Sequence, residues 1–295
     1  MKILILGGNG MIGHKIYQEL KNDFDDTWVL FRKKFLLLSY KDFYDSKVID
    51  EFDLTNLEKL LDKLNILNPD VIINAAGITI RRGVTESSSK SILMNSVLPN
   101  FLEEWVKGKI HKRVIHFSTD CVFSGQNGPY TENSNTNAND LYGKTKSLGE
   151  IKGPNSLTLR GSMIGRELDN FTELFEWSLS QKNQKVKGFS NVMYSGITTI
   201  RMAKYIKEII INHPQLNGLY NVSSIPISKY NLIQLFNKEF ELNLEIEKED
   251  SYKSNKVLDA TLFYNKIMLQ VPTWDELIVE LKEDYNKNIK FYKNK

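Results

Sequence analysis

The 295-residue chain contains one cysteine, Cys121, and no apolar run long enough to cross a bilayer. A lone cysteine cannot close an internal disulfide, which fits a reducing compartment, and a cytoplasmic location is expected. Histidines are scarce, at positions 14, 111, 116 and 213, and none has metal-ligand spacing, so no metal site is expected. The apolar run Ile3-Leu4-Ile5-Leu6 starts so early that no secretory leader is read before it, and no membrane anchor is expected. Charge of one sign is also missing. The net charge is +3 with Lys and Arg interleaved among Asp and Glu, unlike the gathered basic patch of a nucleic-acid binder. Arg32-Lys33-Lys34 is a short exception. No internal repeat or low-complexity tract is present. What remains, 41% hydrophobic and 25% charged residues, is ordinary for a folded protein. The length suits one large α/β domain or two interleaved lobes.

The most informative segment is Gly7-Gly8-Asn9-Gly10-Met11-Ile12-Gly13, directly after that first apolar run. Gly8, Gly10 and Gly13 fit G-x-G-x-x-G; Gly7, Gly10 and Gly13 fit G-x-x-G-x-x-G. Either register lets a backbone turn sharply against a pyrophosphate at the start of a helix, and Ile12, Ile16 and Leu20 supply the helical period. The pyrophosphate is therefore expected against Gly7, Gly10, Met11, Ile12 and Gly13.

Further strands are predicted at 28–32, 48–52, 70–74, 112–117 and 156–160, with helices at 11–21, 55–65, 86–107 and 140–151 between them. This alternation implies an α/β fold of Rossmann type, a doubly wound parallel sheet with a smaller C-terminal substrate-binding lobe. Helices near 170–182, 198–212, 227–239 and 273–290 and a strand at 218–222 follow. The dinucleotide-binding domain is read as 1–160 plus about 197–223. The substrate lobe is read as about 161–196 plus 224–295, with the ligand in the cleft between them.

Thr119, Tyr142 and Lys146 form the sharpest chemical set. Tyr142 and Lys146 are four residues apart, on one face of a helix that Asp140 would cap. A nearby ammonium is expected to lower the phenol's pKa. The same spacing recurs at Tyr17/Lys21 and Tyr252/Lys256, so spacing alone decides nothing. Only Tyr142 opens a helix that follows a strand ending in Ser118-Thr119, on the same sheet edge as the glycine turn.

Several further segments carry a resemblance: Asp53-Leu54-Thr55, Asn74-Ala75-Ala76-Gly77, Ser118 through Gly125, and Tyr142-Gly143-Lys144-Thr145-Lys146 with Gly149-Glu150. Together with the glycine turn they resemble the extended short-chain dehydrogenase/reductases, most closely the dTDP-4-dehydrorhamnose reductase type, over about residues 1–165. The resemblance implies that Tyr142 is the general acid, that Lys146 binds the nicotinamide ribose, and that Thr119 orients the substrate oxygen. It also implies that Asp53, Leu54, Ala75, Ala76 and Gly77 line the adenine and ribose, with Asn95 near the cofactor. Cys121 stands where rhamnose-type reductases commonly have tyrosine and where 4,6-dehydratases have an acid, which argues against water elimination.

After the second strand an NAD site usually has an acidic residue; here Arg32 could fork onto a 2′-phosphate, so NADPH is expected. Arg82 (with Arg81), Cys121, Arg166 and Asn191 are candidates for contacting the substrate. The reading is an NADPH-dependent 4-ketoreductase of a nucleotide-activated 4-keto-6-deoxy sugar, dTDP- or UDP-linked, with 2-acetamido variants included, in deoxysugar or cell-surface polysaccharide biosynthesis. A nucleotide-sugar epimerase with tightly held NAD, or a non-catalytic dinucleotide-binding subunit, are the alternatives. A homodimer is left open.

Overall fold

The computed structural model describes residues 1–32, 47–79, 87–169 and 171–292. Its strands are β1 (Ile3–Leu6), β2 (Thr27–Leu30), β3 (Val48–Ile49), β4 (Val71–Asn74), β5 (Arg113–Ser118), β6 (Ser156–Arg160), β7 (Met163–Ile164), β8 (Lys185–Phe189), β9 (Val192–Tyr194), β10 (Ile197–Thr198), β11 (Gly218–Asn221), β12 (Ile227–Ser228), β13 (Glu245–Glu249) and β14 (Ser254–Asn255). Seven of them form one parallel sheet in the order β11-β6-β5-β4-β1-β2-β3.

A parallel sheet is covered by helices on both faces, so its strands are apolar throughout. Ile3, Ile5, Ile73, Ile115 and Leu157 point to one face, where they meet Ile16 and Tyr17 of the helix Met11–Leu20 (α1) and Ile206 and Ile209 of the helix Thr199–Asn212. Leu4, Leu6, Ile72 and Val114 point to the other, against Leu60 and Leu64 of the helix Leu57–Leu67 and Leu98 and Leu102 of the helix Leu98–Val106. Each side chain fully buried this way contributes roughly 2 kcal/mol. The two layers are the doubly wound architecture expected from the strand–helix alternation.

From β1 the chain winds outward through β2 and β3, then returns to the other side of β1 at β4 and continues to β5 and β6. The reversal leaves a crevice at the carboxyl ends of β1 and β4, the place where such sheets take their ligands. After β6 the chain makes short paired strands: β7 with β10, β9 between β12 and β14, and β8 with β13. It rejoins the main sheet at β11. Phe175, Phe236, Leu277 and Leu281, from three helices of this later region, pack into the same apolar cluster as one face of the sheet.

The helix expected over 86–107 is divided into Ser88–Ile92, a wider π turn at Leu93–Val97, and Leu98–Val106. Pro99 has no N–H to give the Asn95 carbonyl, so the regular ladder cannot run through this point. Among the described residues no helix is long and apolar enough to cross a membrane.

Candidate active site

The crevice is a cleft of about 450 Å³. Gly7, Gly10, Met11, Ile12, Arg32, Asp53, Leu54, Ala75, Ala76, Gly77, Thr119, Cys121, Tyr142 and Lys146 all line it. Chain segments far apart in sequence are thus brought to one sheet edge.

The floor of the glycine turn depends on absent side chains. Gly7 has φ +79°, and a Cβ there would stand 2.8 Å from the Ala76 nitrogen. A Cβ on Gly13 would stand 2.2 Å from the Gly7 carbonyl oxygen, so Gly13 lies beneath the turn and lets α1 approach it, without lining the cleft. Gly10, the N-cap residue of α1, offers no side-chain cap, which leaves first-turn N–H groups for an anion. Asp53 accepts from the Thr55 amide (2.9 Å) and hydroxyl (2.8 Å); these bonds, and then Lys90 and Arg32, hold its carboxyl below the usual range.

At the other end, Thr119 follows β5 and caps the short 3₁₀ turn Asp120–Val122, its hydroxyl accepting the Cys121 amide at 3.1 Å. Asp140 accepts the Gly143 amide at 2.8 Å and fixes the start of the helix Leu141–Leu148, which carries Tyr142 and Lys146. The Lys146 ammonium donates to the Phe117 carbonyl at 2.5 Å and lies 3.3 Å from His116 Nε2. Burial pulls Lys146 down to about 8, with Glu150 opposing. Burial also pushes the Tyr142 phenol up, and Cys121 and Asp120 add to the shift while a hydrogen bond with Thr119 works against it. The expected lowering by Lys146 is therefore not what the protein alone produces. The phenol is held protonated, the form in which it can donate. The Cys121 thiol is pushed up to about 12 by burial and Asp120, which makes it a packed wall residue and a poor nucleophile.

Three more of the residues singled out in the sequence stand, like Gly13, outside the cleft lining. Asn95 is fully buried behind the cleft wall; its Oδ1 accepts the Ile78 amide at 2.9 Å, and its Nδ2 donates to the Ile78 carbonyl at 2.9 Å and to the Thr145 hydroxyl at 3.1 Å. It braces the cofactor-side loop against the Tyr142 helix and is not among the residues lining the cleft. Arg166 turns into the protein, donating to Glu176 at 2.6 Å and lying over the Tyr285 and Tyr292 rings at 4.9 and 4.3 Å. Asn191 donates to the Asp250 carbonyl at 2.7 Å, outside the cleft. Arg81 and Arg82 lie outside the described residues.

The cleft also gathers residues the sequence reading passed over: Thr79, Lys90, Met94, Ser162, Met163 and Glu173. The Thr79 hydroxyl is buried there with no hydrogen-bond partner among the described residues. Nothing in the local sequence around Lys90 or Glu173 marks them as facing the cleft.

The family model described as RmlD substrate binding domain matches residues 1–284. The chain is 26% identical over 238 residues to dTDP-4-dehydrorhamnose reductase of Aggregatibacter actinomycetemcomitans, covering 76% of this chain and 74% of that protein. It is 26% identical over 241 residues to methionine adenosyltransferase 2 subunit beta of Danio rerio, covering 76% and 68%. Among solved structures, dTDP-4-dehydrorhamnose reductase of Bacillus anthracis in complex with NADP superposes with a TM-score of 0.77 at 18% identity, over 96% of this chain and 99% of that one.

Proposed function

The chain belongs to the RmlD substrate binding domain family, and from that premise we propose that it is an NADPH-dependent reductase of the C4 ketone of a nucleotide-activated 4-keto-6-deoxy sugar. The observation that carries this reading is the convergence of the glycine turn, Thr119, Tyr142 and Lys146 on one cleft. A relative of similar coverage is named for the same reduction.

The residues present suit a dinucleotide. The glycines of the turn at Gly7–Gly13 leave room for a pyrophosphate, α1 offers uncapped amides, and the Thr79 hydroxyl is buried in the cleft without a hydrogen-bond partner among the described residues. Arg32 and Lys90 supply positive charge beside Asp53 for a 2′-phosphate. A reduced nicotinamide supplies a hydride when bound. The protein's own part is proton supply and orientation. Tyr142, kept protonated by burial, donates its phenolic proton to the ketone oxygen as negative charge develops there. Thr119 holds that oxygen, and the Lys146 ammonium, fixed by Phe117 and His116, brings positive charge into the same cleft from the same helix as the phenol becomes phenolate.

The domain that binds the dinucleotide comprises 1–160 and about 197–223, and the lobe from 161–196 and 224–295 covers the sugar nucleotide. Gly161, Ser162, Met163 and Glu173 of that lobe line the cleft. The test is NADPH oxidation against a panel of dTDP- and UDP-linked 4-keto-6-deoxy sugars, with and without a 2-acetamido group, followed by NMR of the product. Reduction of at least one, with the free sugar far poorer, is expected; efficient reduction of simple ketones alone sinks the reading.

A second reading, a non-catalytic subunit, is favoured by the similarity to a protein named as the beta subunit of another enzyme. Retention of Thr119, Tyr142 and Lys146 in one cleft favours the reductase. A co-purifying enzyme and no ketone reduction would reverse that preference.

A further inference from the structure

His116 has no part in the chemistry set out above beyond its contact with Lys146, and its surroundings give it one. The ring is fully buried within β5, in register with Asn74 of β4. Its Nε2 faces the Lys146 ammonium, whose other protein acceptor is the Phe117 carbonyl. An ammonium has only N–H groups to offer, so the facing ring nitrogen carries the lone pair and the ring proton sits on Nδ1. The Asn74 side-chain amide stands 3.1 Å from Nδ1; its nitrogen there would set donor against donor, so this tautomer takes the amide oxygen as the acceptor of the Nδ1 proton. The other end of the Asn74 amide lies 3.3 Å from the Ala76 nitrogen, beside the Ala75–Gly77 wall of the cleft.

Two of the three ammonium N–H groups are thus held by β5, which leaves the third for the cleft. A flexible lysine side chain in a dry site has no such aim of its own. We propose that His116 is a positioning residue for the reduction: by accepting a hydrogen bond at Nε2 it fixes the Lys146 ammonium with one N–H directed to the cleft and stabilises its charged form. The inference rests on the reductase reading.

The other ionisable groups around Lys146 are few. Glu150 follows on the same helix and favours the charged lysine; its carboxylate is held by the Ser118 hydroxyl at 2.7 Å and by Arg160 of β6 at 2.8 and 2.7 Å. Tyr142 precedes Lys146 on that helix, and Asp120 lies beyond the end of β5. Burial, and then the ammonium itself, hold His116 well below the usual imidazole range, so the ring does not compete for the charge.

The test compares unmodified protein, His116→Leu and His116→Gln with the best substrate of the panel, as kcat profiles from neutral into alkaline pH. Losing a hydrogen bond to a charged group predicts a fall of roughly ten- to a hundredfold in kcat for the leucine variant. The alkaline limb moves to lower pH, because the ammonium has lost an acceptor, and KM for the sugar nucleotide stays near its original value. The glutamine variant places an amide oxygen near the position of Nε2 and restores the limb. A uniform loss at every pH that glutamine does not relieve, or an unaffected leucine variant, overturns the proposal.

Nitrogen-15 NMR of histidine-labelled unmodified protein provides a measurement that needs no folded variant and no substrate. A neutral His116 with its proton on Nδ1 is expected, and a proton on Nε2 overturns the assignment. Should the ring show the expected tautomer while no keto sugar is reduced, the failure lies with the reductase reading.

Discussion

Lys146 keeps a charge where burial disfavours one, and that sets a sign for its effect on stability. Its pKa is about 8 in the folded protein against 10.5 for the free side chain. Between those values the unfolded chain holds the extra proton, so stability rises with pH across that window, and below it burial of the charge costs about 3 kcal/mol. Lys146→Met should therefore be at least as stable as the unmodified protein in urea below pH 8. Its margin should close as pH rises toward 10.5, and a margin indifferent to pH would refute the account. Tyr142→Phe keeps the ring and loses the proton donor; turnover should fall on the order of a hundredfold while NADPH still binds. Tyr252→Phe, at an exposed tyrosine that only shares the spacing, is the control and should be neutral. For Arg32, a charge-assisted contact with a 2′-phosphate predicts roughly a ten- to hundredfold preference for NADPH over NADH. Arg32→Ala should remove most of it through KM, and equal kcat/KM for both cofactors in the unmodified protein would contradict the assignment.

The turn from β1 into α1 works only because two backbone segments nearly touch. Gly13→Ala would place a methyl group 2.2 Å from the Gly7 oxygen, so α1 must move off the turn. A fluorescence titration should then show NADPH binding weakened at least tenfold, the direction expected from losing the aligned amides; unchanged affinity would mean that the turn does not hold the pyrophosphate. This element was readable in advance because its chemistry is local: an apolar strand, glycines at fixed offsets, and a helical period. The strands of the main sheet were readable for the same reason, each being a short apolar run. After β6 the helices near 170–182, 198–212, 227–239 and 273–290 were readable too, by their period, but the short strands of the later lobe were not. β7, β10, β12 and β14 have two residues each, too short for any alternation to show, and their partners lie far away in sequence. The helix Thr261–Ile267 likewise passed unread. At the site, residue type and position in the chain were enough to place Thr119, Tyr142 and Lys146 in one cleft, yet could not say which way a side chain turns. Arg166 reads identically in sequence whether it faces a ligand or, as here, Glu176 and two tyrosine rings.

Across the whole molecule, the cofactor helix is anchored by residues from the far end of the chain. His14 on α1 is fully buried; its Nδ1 lies 2.8 Å from the Gly10 carbonyl and its Nε2 2.7 Å from the Tyr292 hydroxyl. One residue on, the Lys15 ammonium donates to Asp284 at 2.6 Å. Tyr292→Phe deletes the hydroxyl partner of a buried ring nitrogen and should cost about 1–3 kcal/mol in urea unfolding; no change would show that this bond contributes nothing net. The anchor also bears on how the protein is made. A nascent chain makes the glycine turn well before the residue that pins the helix behind it, which is some 278 positions later. The nucleotide-binding end therefore reaches its final form only when nearly all of these residues have been synthesised, a late and non-local closure that slows folding. Ribosome-bound chains stopped before Ile289 should retain less NADPH than chains released beyond Tyr292, so that competence to bind the dinucleotide waits on the segment that carries Tyr292.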